Sequence, residues 1–313
     1  MKNMKITRLI IYLLIFALTS SCAIIKAGKY FKEGKIVEEN FKVTLPFEMK
    51  NGFIVVNVVI ENKDYHFILD TGAPNVVSNE LAESLNLKVM DSINVGDVFN
   101  ESKFTDYTRI ETIKIGTLSF IETNALIKDF STIPIWSSMD IDGVIGSNLM
   151  RYAIWDFDFE QNQITITDNE SKLNLPENVI ENKLFVGFAG VPSIACKING
   201  EKIWNFPVDF GYSGDIVIPF SEFKKQKENG QISNSTESNT GGAIGIYEKQ
   251  DNNTVSYTGI INELEFGNSI LKNQKVYSEQ YLSHLFGLDF FRNYRAILNW
   301  DSKKIKLIEN TNS

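Results

Sequence analysis

An internal repeat constrains the fold of this chain more than any other feature of its sequence. Residues 142–166 and 283–307 align without a gap when Gly146 is placed on Gly287, and Arg151 then falls on Arg292. Two further pairs of segments match upstream in the same order: VVIENKDYHFILDTG with CKINGEKIWNFPVDFG, and IETIKIGTL with INELEFGNS. Chance similarity between short β-rich segments is the alternative, but it does not account for three blocks in one order. The repeat therefore predicts two halves of similar fold.

The residue pattern within each half predicts short β-strands. Runs such as FIVVNVVIEN, AIWDFDF and QITITD are rich in β-branched and aromatic residues and are interrupted by Gly, Asn and Asp. One segment, residues 78–87, has the spacing of an amphipathic helix with Ser78 as its N-cap, and the polar stretch 225–240 predicts a surface loop. With 313 residues and 43% hydrophobic content, the chain is long and apolar enough for a large core. We predict an all-β fold.

The sharpest local signal is the turn Asp70-Thr71-Gly72, which follows two apolar residues of a predicted strand. The strand delivers the carboxylate of Asp70 to a sheltered position, and Gly72 permits a tight turn behind it. The hydroxyl of Thr71 is able to hydrogen-bond across the junction between the halves. At the matching place in the repeat stands Asp209-Phe210-Gly211. Two such turns related by a two-fold axis would bring two carboxylates side by side.

Over about residues 40–310, these motifs resemble those of the aspartic proteases, the superfamily of pepsins and retropepsins, and most of all its exported bacterial branch with retropepsin-like domains. Val144-Ile145-Gly146 and Leu285-Phe286-Gly287 are similar to the apolar-apolar-Gly motif that crosses beneath the Asp turn in that family. The resemblance implies a two-lobed pepsin/retropepsin-like fold, with a closed β-barrel-like lobe in each half, and catalytic roles for Asp70 and Asp209. The residues implied to support them are Thr71, Gly72, Gly146, Phe210, Gly211 and Gly287.

The same resemblance implies the chemistry of an endopeptidase. Two carboxyls about 3 Å apart share one proton, so that one activates a water while the other polarises the scissile carbonyl. No metal or organic cofactor is needed, and a peptide or protein substrate would lie extended in the cleft between the lobes. Gly241, Gly242 and Ile244 are similar to a Gly-rich flap over such a substrate. Because one chain supplies both lobes, a monomer is sufficient.

The second motif departs from the family pattern. Phe210 replaces the usual Thr or Ser, and a phenyl ring cannot donate the hydrogen bond that Thr71 is able to make. Ala73 and Tyr212 follow the two glycines, where pepsins commonly carry Ser or Thr. We therefore expect the pKa of the acid pair to be lowered less than in pepsins. These departures leave a second function open: a catalytically inactive relative that binds extended peptides or has a structural role in the cell envelope.

The N-terminus predicts export and lipid anchoring. Basic residues precede an apolar run at residues 9–18, and small residues lead to Cys22, so residues 1–22 resemble a bacterial lipoprotein signal peptide. Thr19 stands where a large aliphatic residue is usual, and an ordinary signal peptide is the alternative. A lipidated Cys22 would anchor the protein in the membrane, and the absence of Asp after it favours an outer-membrane location facing the periplasm.

The remaining sequence divides into a polar tether at residues 23–40, an N-terminal lobe at 41–170 and a C-terminal lobe at 171–310. The net charge of -8 and the lack of a basic patch with aromatic residues argue against nucleic acid as a partner. His66 and His284 have no Cys or His at ligand spacing, so no metal site is predicted. Cys196 lies in an apolar strand pattern and is predicted to be a core residue.

Overall fold

The computed structural model describes residues 29–96, 102–239 and 254–310, which form two sheets and a few short helices. Strands are numbered in chain order. The first sheet contains β1 Lys35–Ile36, β3 Glu48–Lys50, β4 Phe53–Ile60, β5 Lys63–Asp70, β6 Val76–Ser78, β7 Asp91–Gly96, β8 Ser102–Ile115, β9 Leu118–Lys128 and β10 Gly143–Gly146. The second contains β2 Lys42–Pro46, β11 Ile154–Asp158, β12 Gln163–Thr167, β13 Ile180–Val186, β14 Pro192–Ile198, β15 Glu201–Asp209, β16 Ile216–Val217, β17 Ile232–Ser238, β18 Ser256–Phe266, β19 Ser269–Glu279, β20 Leu285–Gly287, β21 Tyr294–Asn299 and β22 Lys304–Glu309. The helices are α1 Asn79–Ser84, α2 Pro134–Ser137, α3 Ser147–Met150, α4 Phe220–Glu228 and α5 Leu288–Phe291, and 3-10 turns lie at Phe130–Thr132, Glu170–Lys172 and Phe188–Gly190.

The strand pairings repeat between the two halves. In the first half β4, β5, β10, β6, β9 and β8 pair one with the next, and β8 returns to β4. In the second half β14, β15, β20, β16, β19 and β18 do the same, and β18 returns to β14. The parallel pairs also correspond, because β5–β10 matches β15–β20 and β6–β9 matches β16–β19. This architecture confirms the predicted all-β, two-lobed fold.

A run of antiparallel strands joins the halves in the order β2, β12, β11, β21, β22 and β13. The final hairpins of the two repeats, β11–β12 and β21–β22, therefore lie side by side. Their alternating apolar residues face one core, in which Trp155 and Phe157 stack at 6.3 Å between ring centroids. The core thus extends through the seam between the halves.

Two local predictions meet different outcomes. Helix α1 is confirmed: Ser78 caps it by accepting a hydrogen bond from Leu81 N at 3.0 Å. The predicted loop at residues 225–240 is wrong over most of its length, because Phe220–Glu228 is helix α4 and Ile232–Ser238 is strand β17. These elements are polar because they bury little beyond Phe223, Gln226 and Ile232.

The N-terminal part of the described chain packs onto the first half. Phe31 is fully buried and contacts Tyr107 and Phe188, with ring centroids 6.5 Å and 5.7 Å away. Glu33 forms an ion pair with Arg109, and β1 pairs with β9. The part of the predicted tether that the structure describes, residues 29–40, is therefore packed on the folded lobe. No helix in the described ranges is long and apolar enough to cross a bilayer.

Candidate active site

The strand pairing that the two halves share places Asp70 and Asp209 at equivalent strand ends. Asp70 is the last residue of β5, where Gly146 of the parallel strand β10 lies beside it. Asp209 is the last residue of β15, where Gly287 of β20 lies beside it. Each acid therefore leaves its strand at the point where the apolar-apolar-Gly strand ends.

The two carboxyls meet across the seam, each packed against the glycine of the opposite motif. A methyl group added to Gly72 would lie 2.7 Å from Asp209 Oδ1, and one added to Gly211 would lie 2.7 Å from Asp70 Oδ1. Such approaches leave no room for a β-carbon, so glycine is required at both places. The two carboxyls are close enough that each shifts the pKa of the other. Structure thus brings together the two acids and the two motif glycines that the repeat had paired.

Backbone N–H groups hold both carboxylates in the same way. Gly72 N donates to Asp70 Oδ1 at 2.7 Å, and Gly211 N donates to Asp209 Oδ1 at 2.8 Å. The N–H groups of Ala73 and Tyr212 also favour the ionised forms of Asp70 and Asp209 respectively. Backbone N–H groups therefore stabilise the ionised form of each acid, although Ala73 and Tyr212 stand where pepsins commonly carry a Ser or Thr hydroxyl.

Burial raises the pKa values of both acids. Burial raises the pKa of Asp70, while the hydrogen bonds from Gly72 and from the neighbouring acid act in the opposite direction. The pKa of Asp209 is raised well above its usual range by burial and, next, by the negative charge of Asp70. The two carboxyls therefore titrate as a coupled pair, and they share a proton at a pH where only one is bound.

Thr71 supports the junction from one side. Its fully buried hydroxyl donates to Val208 O at 2.7 Å and accepts from Phe210 N at 3.0 Å, both across the seam. Behind it, Ser147 Oγ donates to Thr71 O at 2.6 Å. One threonine hydroxyl therefore pins the strand that carries Asp209.

Phe210 supports the junction from the other side by apolar packing. Its ring is fully buried, with centroids 4.9 Å from Phe157 of β11 and 5.1 Å from Phe291 of α5. The edge-to-face contact with Phe157 is a favoured arrangement of aromatic rings. Phe210 therefore makes aromatic contacts with β11 and α5 at the position where a Thr or Ser would make hydrogen bonds across the seam.

Three buried asparagines behind Asp70 were not predicted. Asn75 Oδ1 accepts from Gly146 N at 2.8 Å, and Asn148 Oδ1 accepts from Asn75 N at 2.6 Å. Both side chains also donate to Asn124 O, at 3.3 Å and 2.8 Å. This network ties the Asp70 loop to β10, α3 and β9. The only signal in the sequence is that Asn75 and Asn148 each stand close to a recognised motif.

The predicted flap residues Gly241, Gly242 and Ile244 lie outside the described residues, as does Cys22. Strands β17 and β18 flank the flap segment. The corresponding hairpin of the first half, β7–β8, was not predicted as a flap because its sequence has a single glycine, Gly96, and no Gly-rich run. Within the described ranges, no group of three or more His, Cys, Asp or Glu side chains is arranged to hold a metal ion.

Comparisons with known proteins agree with this architecture. A family model described as aspartyl protease matches residues 56–149, the segment that carries Asp70 and Gly146. Among solved structures, conglutin gamma, a basic 7S globulin from lupine seeds, superposes with a TM-score of 0.55 at 8% identity, covering 87% of this chain and 96% of that chain. This chain has an aspartic-protease-like fold.

A second solved structure, basic 7S globulin from soybean, matches with a TM-score of 0.47 at 9% identity and covers 86% of this chain and 95% of that chain. No curated protein sequence matches the chain. At 8% identity, the likeness to conglutin gamma shows the fold and leaves the activity to be argued from the acid pair itself.

Replacing Thr71 with valine tests how much its hydroxyl stabilises the junction between the halves. Thr71→Val keeps the shape of the side chain but leaves Val208 O and Phe210 N without their buried partner, so we expect the free energy of unfolding to fall by about 1–3 kcal/mol. Chemical denaturation measures this loss. Thr71→Ser, which keeps the hydroxyl, should retain most of the stability; equal losses in the two variants would contradict the role of the hydrogen bonds.

The raised pKa of Asp209 predicts how stability changes with pH. A carboxyl whose pKa is higher in the folded chain contributes most to stability below its ordinary pKa of 3.8, and this contribution is lost as the pH rises towards the folded value. The side chain of Asp209→Asn cannot ionise, so the variant does not lose this stability as the pH rises. The stability of Asp209→Asn relative to the wild type should therefore be higher at pH 7 than at pH 3. Urea unfolding at both pH values measures the difference, and no change between them would refute the raised pKa.

Proposed function

We propose that this chain is an aspartic endopeptidase that hydrolyses peptide bonds with a water held between Asp70 and Asp209. The observation that carries the proposal is that two carboxyls meet across the seam, each held by the N–H of its own motif glycine and packed on the glycine of the other. Burying two carboxyls next to each other costs free energy. Acids with a purely structural role do not require such an arrangement.

We propose that the two acids divide the roles, with Asp70 ionised and Asp209 protonated at the start of the reaction. Asp70, the ionised member, accepts a proton from the water, whose oxygen attacks the scissile carbonyl carbon. Asp209, the protonated member, donates its proton to the carbonyl oxygen, so that a neutral tetrahedral diol forms. In collapse of the diol, Asp70 gives its proton to the leaving nitrogen while Asp209 takes one back from a hydroxyl. The pair is thereby returned to its starting protonation state.

A second function follows from Phe210. In this reading the aromatic junction marks a lobe pair that is retained for binding extended peptides and no longer turns them over. The two functions share the cleft and differ in the fate of the bound peptide. The meeting of the two acids across the seam supports the first function more strongly. Phe210 does not weaken this support, because Thr71 still makes both of its hydrogen bonds across the seam.

Substitution of the ionised acid separates the two functions. Asp70→Asn removes the proton acceptor and should lower cleavage of a peptide library by about 10³-fold or more. The full chain, purified in detergent, is incubated with the library and the products are identified by mass spectrometry. Asp289→Asn, which changes an exposed acid beside Gly287 in the second motif region, serves as the control and should cleave like the wild type. Equal cleavage by the wild type and Asp70→Asn would refute the assignment of the activity to this pair.

We further propose that the protein is exported and anchored in the bacterial cell envelope by lipidated Cys22, with the outer membrane facing the periplasm as its location. The charged, apolar and small-residue segments before Cys22 support this. Cys22→Ser should abolish metabolic labelling by a fatty acid and move the protein to the soluble envelope fraction. Cys196→Ser, which changes the buried cysteine, should leave both unchanged. Labelling that persists in Cys22→Ser would contradict the anchor.

A further inference from the structure

The beginning of the described chain meets a turn of the second half through an aromatic contact. Residues 29–32 form a single turn closed by the hydrogen bond from Lys32 N to Lys29 O at 3.0 Å. Phe31 within it is fully buried, and its ring lies edge to face with the ring of Phe188, 5.7 Å between centroids. Phe188 belongs to the turn between β13 and β14 and is 47% exposed. An aromatic ring therefore stands at the surface where the N-terminal segment joins the fold.

Contacts of Gly190 hold this turn beside two other elements. The φ of Gly190 is +88°, and an added methyl group would lie 2.7 Å from Ser147 O, so only glycine lets the turn pack on α3. Gly190 O accepts a hydrogen bond from Trp300 Nε1 at 2.8 Å. Trp300 is followed by the β21–β22 turn, in which Lys303 O accepts from Leu184 N of β13 at 2.8 Å. The two turns and β13 therefore lie side by side.

These contacts gather exposed lysines and phenylalanines on one surface, which we call the basic-aromatic face. It consists of Lys29, Lys32, Lys183, Phe185, Phe188 and Lys303. Lys183 and Phe185 stand two residues apart on β13, and the Lys183 ammonium lies 5.6 Å from the centroid of the Phe185 ring. The ring of Phe185, like that of Phe188, is exposed to solvent.

The lysines of the basic-aromatic face are not neutralised by neighbouring acids. None of the four forms an ion pair with a carboxylate in the part of the chain that the structure describes. The acids nearest to them in the sequence have other partners, since Glu33 pairs with Arg109 and Glu181 with Lys304. The exposed Asp301 in the β21–β22 turn offsets one of the four charges. A chain with a net charge of -8 thus carries a basic patch with exposed aromatic rings at this place.

Helix α3 lies between the basic-aromatic face and the acid pair. On one side, Ser147 Oγ donates to Thr71 O, in the turn that carries the first acid, at 2.6 Å. On the other side, Ser147 O packs on Gly190, and Tyr152 Oη, just after the helix, donates to Lys32 O at 2.8 Å. A partner bound to the face therefore does not contact the acids.

The proposed lipid anchor lies close to this face along the chain. Lys29 is the seventh residue after Cys22. Because an extended chain covers at most ~3.6 Å per residue, lipidation of Cys22 would hold Lys29 within about 25 Å of the bilayer surface. Lysine ammonium groups attract anionic headgroups, and exposed aromatic rings insert at the boundary between headgroups and acyl chains. The chemistry of the face thus matches the surface to which it would be attached.

We propose that the basic-aromatic face is a membrane-docking surface, whose lysines contact anionic phospholipid headgroups and whose phenylalanine rings lie at the headgroup level. The inference rests on the proposed lipid anchor and adds the orientation of the protein, with the acid pair on the far side of α3 from the bilayer. Contact through a few lysines is weak. It orients a protein that the lipid holds, and it does not retain Cys22→Ser in the membrane fraction.

Vesicle binding tests the face without the lipid. Full-length Cys22→Ser is titrated with phosphatidylcholine vesicles that contain about 30% phosphatidylglycerol and with pure phosphatidylcholine vesicles, and bound protein is measured by flotation. The anionic vesicles should bind at least about tenfold more tightly, and the difference should shrink as the salt concentration rises from about 50 to about 500 mM. Residues 1–22 are identical in all variants, so any affinity that they add cancels when variants are compared.

Matched substitutions in the same background locate the binding surface. The test variant replaces three lysines of the face: Lys32→Gln, Lys183→Gln and Lys303→Gln. The control variant replaces three exposed lysines elsewhere in the fold: Lys63→Gln, Lys114→Gln and Lys227→Gln. The test variant should bind anionic vesicles about tenfold or more weakly, whereas the control should change binding less than about twofold because charges far from the contact are screened. Both should melt at the temperature of the parent, since the changed side chains are exposed.

Replacing Phe188 examines the aromatic part of the face. Phe188→Ser should weaken binding to anionic vesicles about threefold or more, because one ring no longer enters the headgroup layer. Phe188→Trp keeps an aromatic ring at this position and should retain the binding. Equal weakening by Phe188→Ser and Phe188→Trp would contradict a role for the ring.

The outcomes separate the docking surface from the anchor. Equal weakening by the test and control variants would overturn the surface, as would a complete lack of vesicle binding, which would favour an acidic protein as the partner of these lysines. Weakening by the test variant alone, in a protein whose wild type is not labelled by a fatty acid, would support the surface and overturn the anchor. Normal labelling of the wild type with no effect of the test variant would support the anchor and overturn the surface.

Discussion

The structure depends on one contact, in which two buried carboxyls meet across two glycines. Any side chain at Gly72 or Gly211 would occupy the space of the opposite acid, so each half is shaped to receive the other. The contact also sets the chemistry, because two carboxyls this close in a buried site cannot both be ionised. Both halves must therefore be held at a fixed separation, and the central sheet formed by the two final hairpins holds them there.

The halves share a topology but are stabilised by different interactions. On the first side, Thr71 supplies hydrogen bonds across the seam, and Asn75 and Asn148 tie down the Asp70 loop. On the second side, Phe210 packs against the rings of Phe157 in β11 and Phe291 in α5. The N-terminal segment adds Phe31 to the core of the first half, where it contacts Tyr107.

The predictability of individual elements follows from how local their signals are. The Asp-X-Gly turns were recognisable because strand, turn and glycine are adjacent in the chain, and helix α1 because Ser78 caps it directly. Helix α4 was missed since its residues are mostly polar and it buries only two side chains, Phe223 and Gln226. The asparagine network was missed for a different reason: its members are separated by up to 73 residues and meet only in the folded lobe.

By itself, the sequence determined that the chain folds as two related β-rich halves and that Asp70 and Asp209 are equivalent, because a repeat in register and a motif within three residues are both readable along the chain. Only the tertiary structure decided that each acid packs on the glycine of the opposite motif, that burial raises the pKa of both acids, and that Phe210 packs against Phe157 and Phe291 where the second motif lacks a hydroxyl. These properties depend on burial and on contacts between residues more than a hundred positions apart, and neither is a property of any local segment.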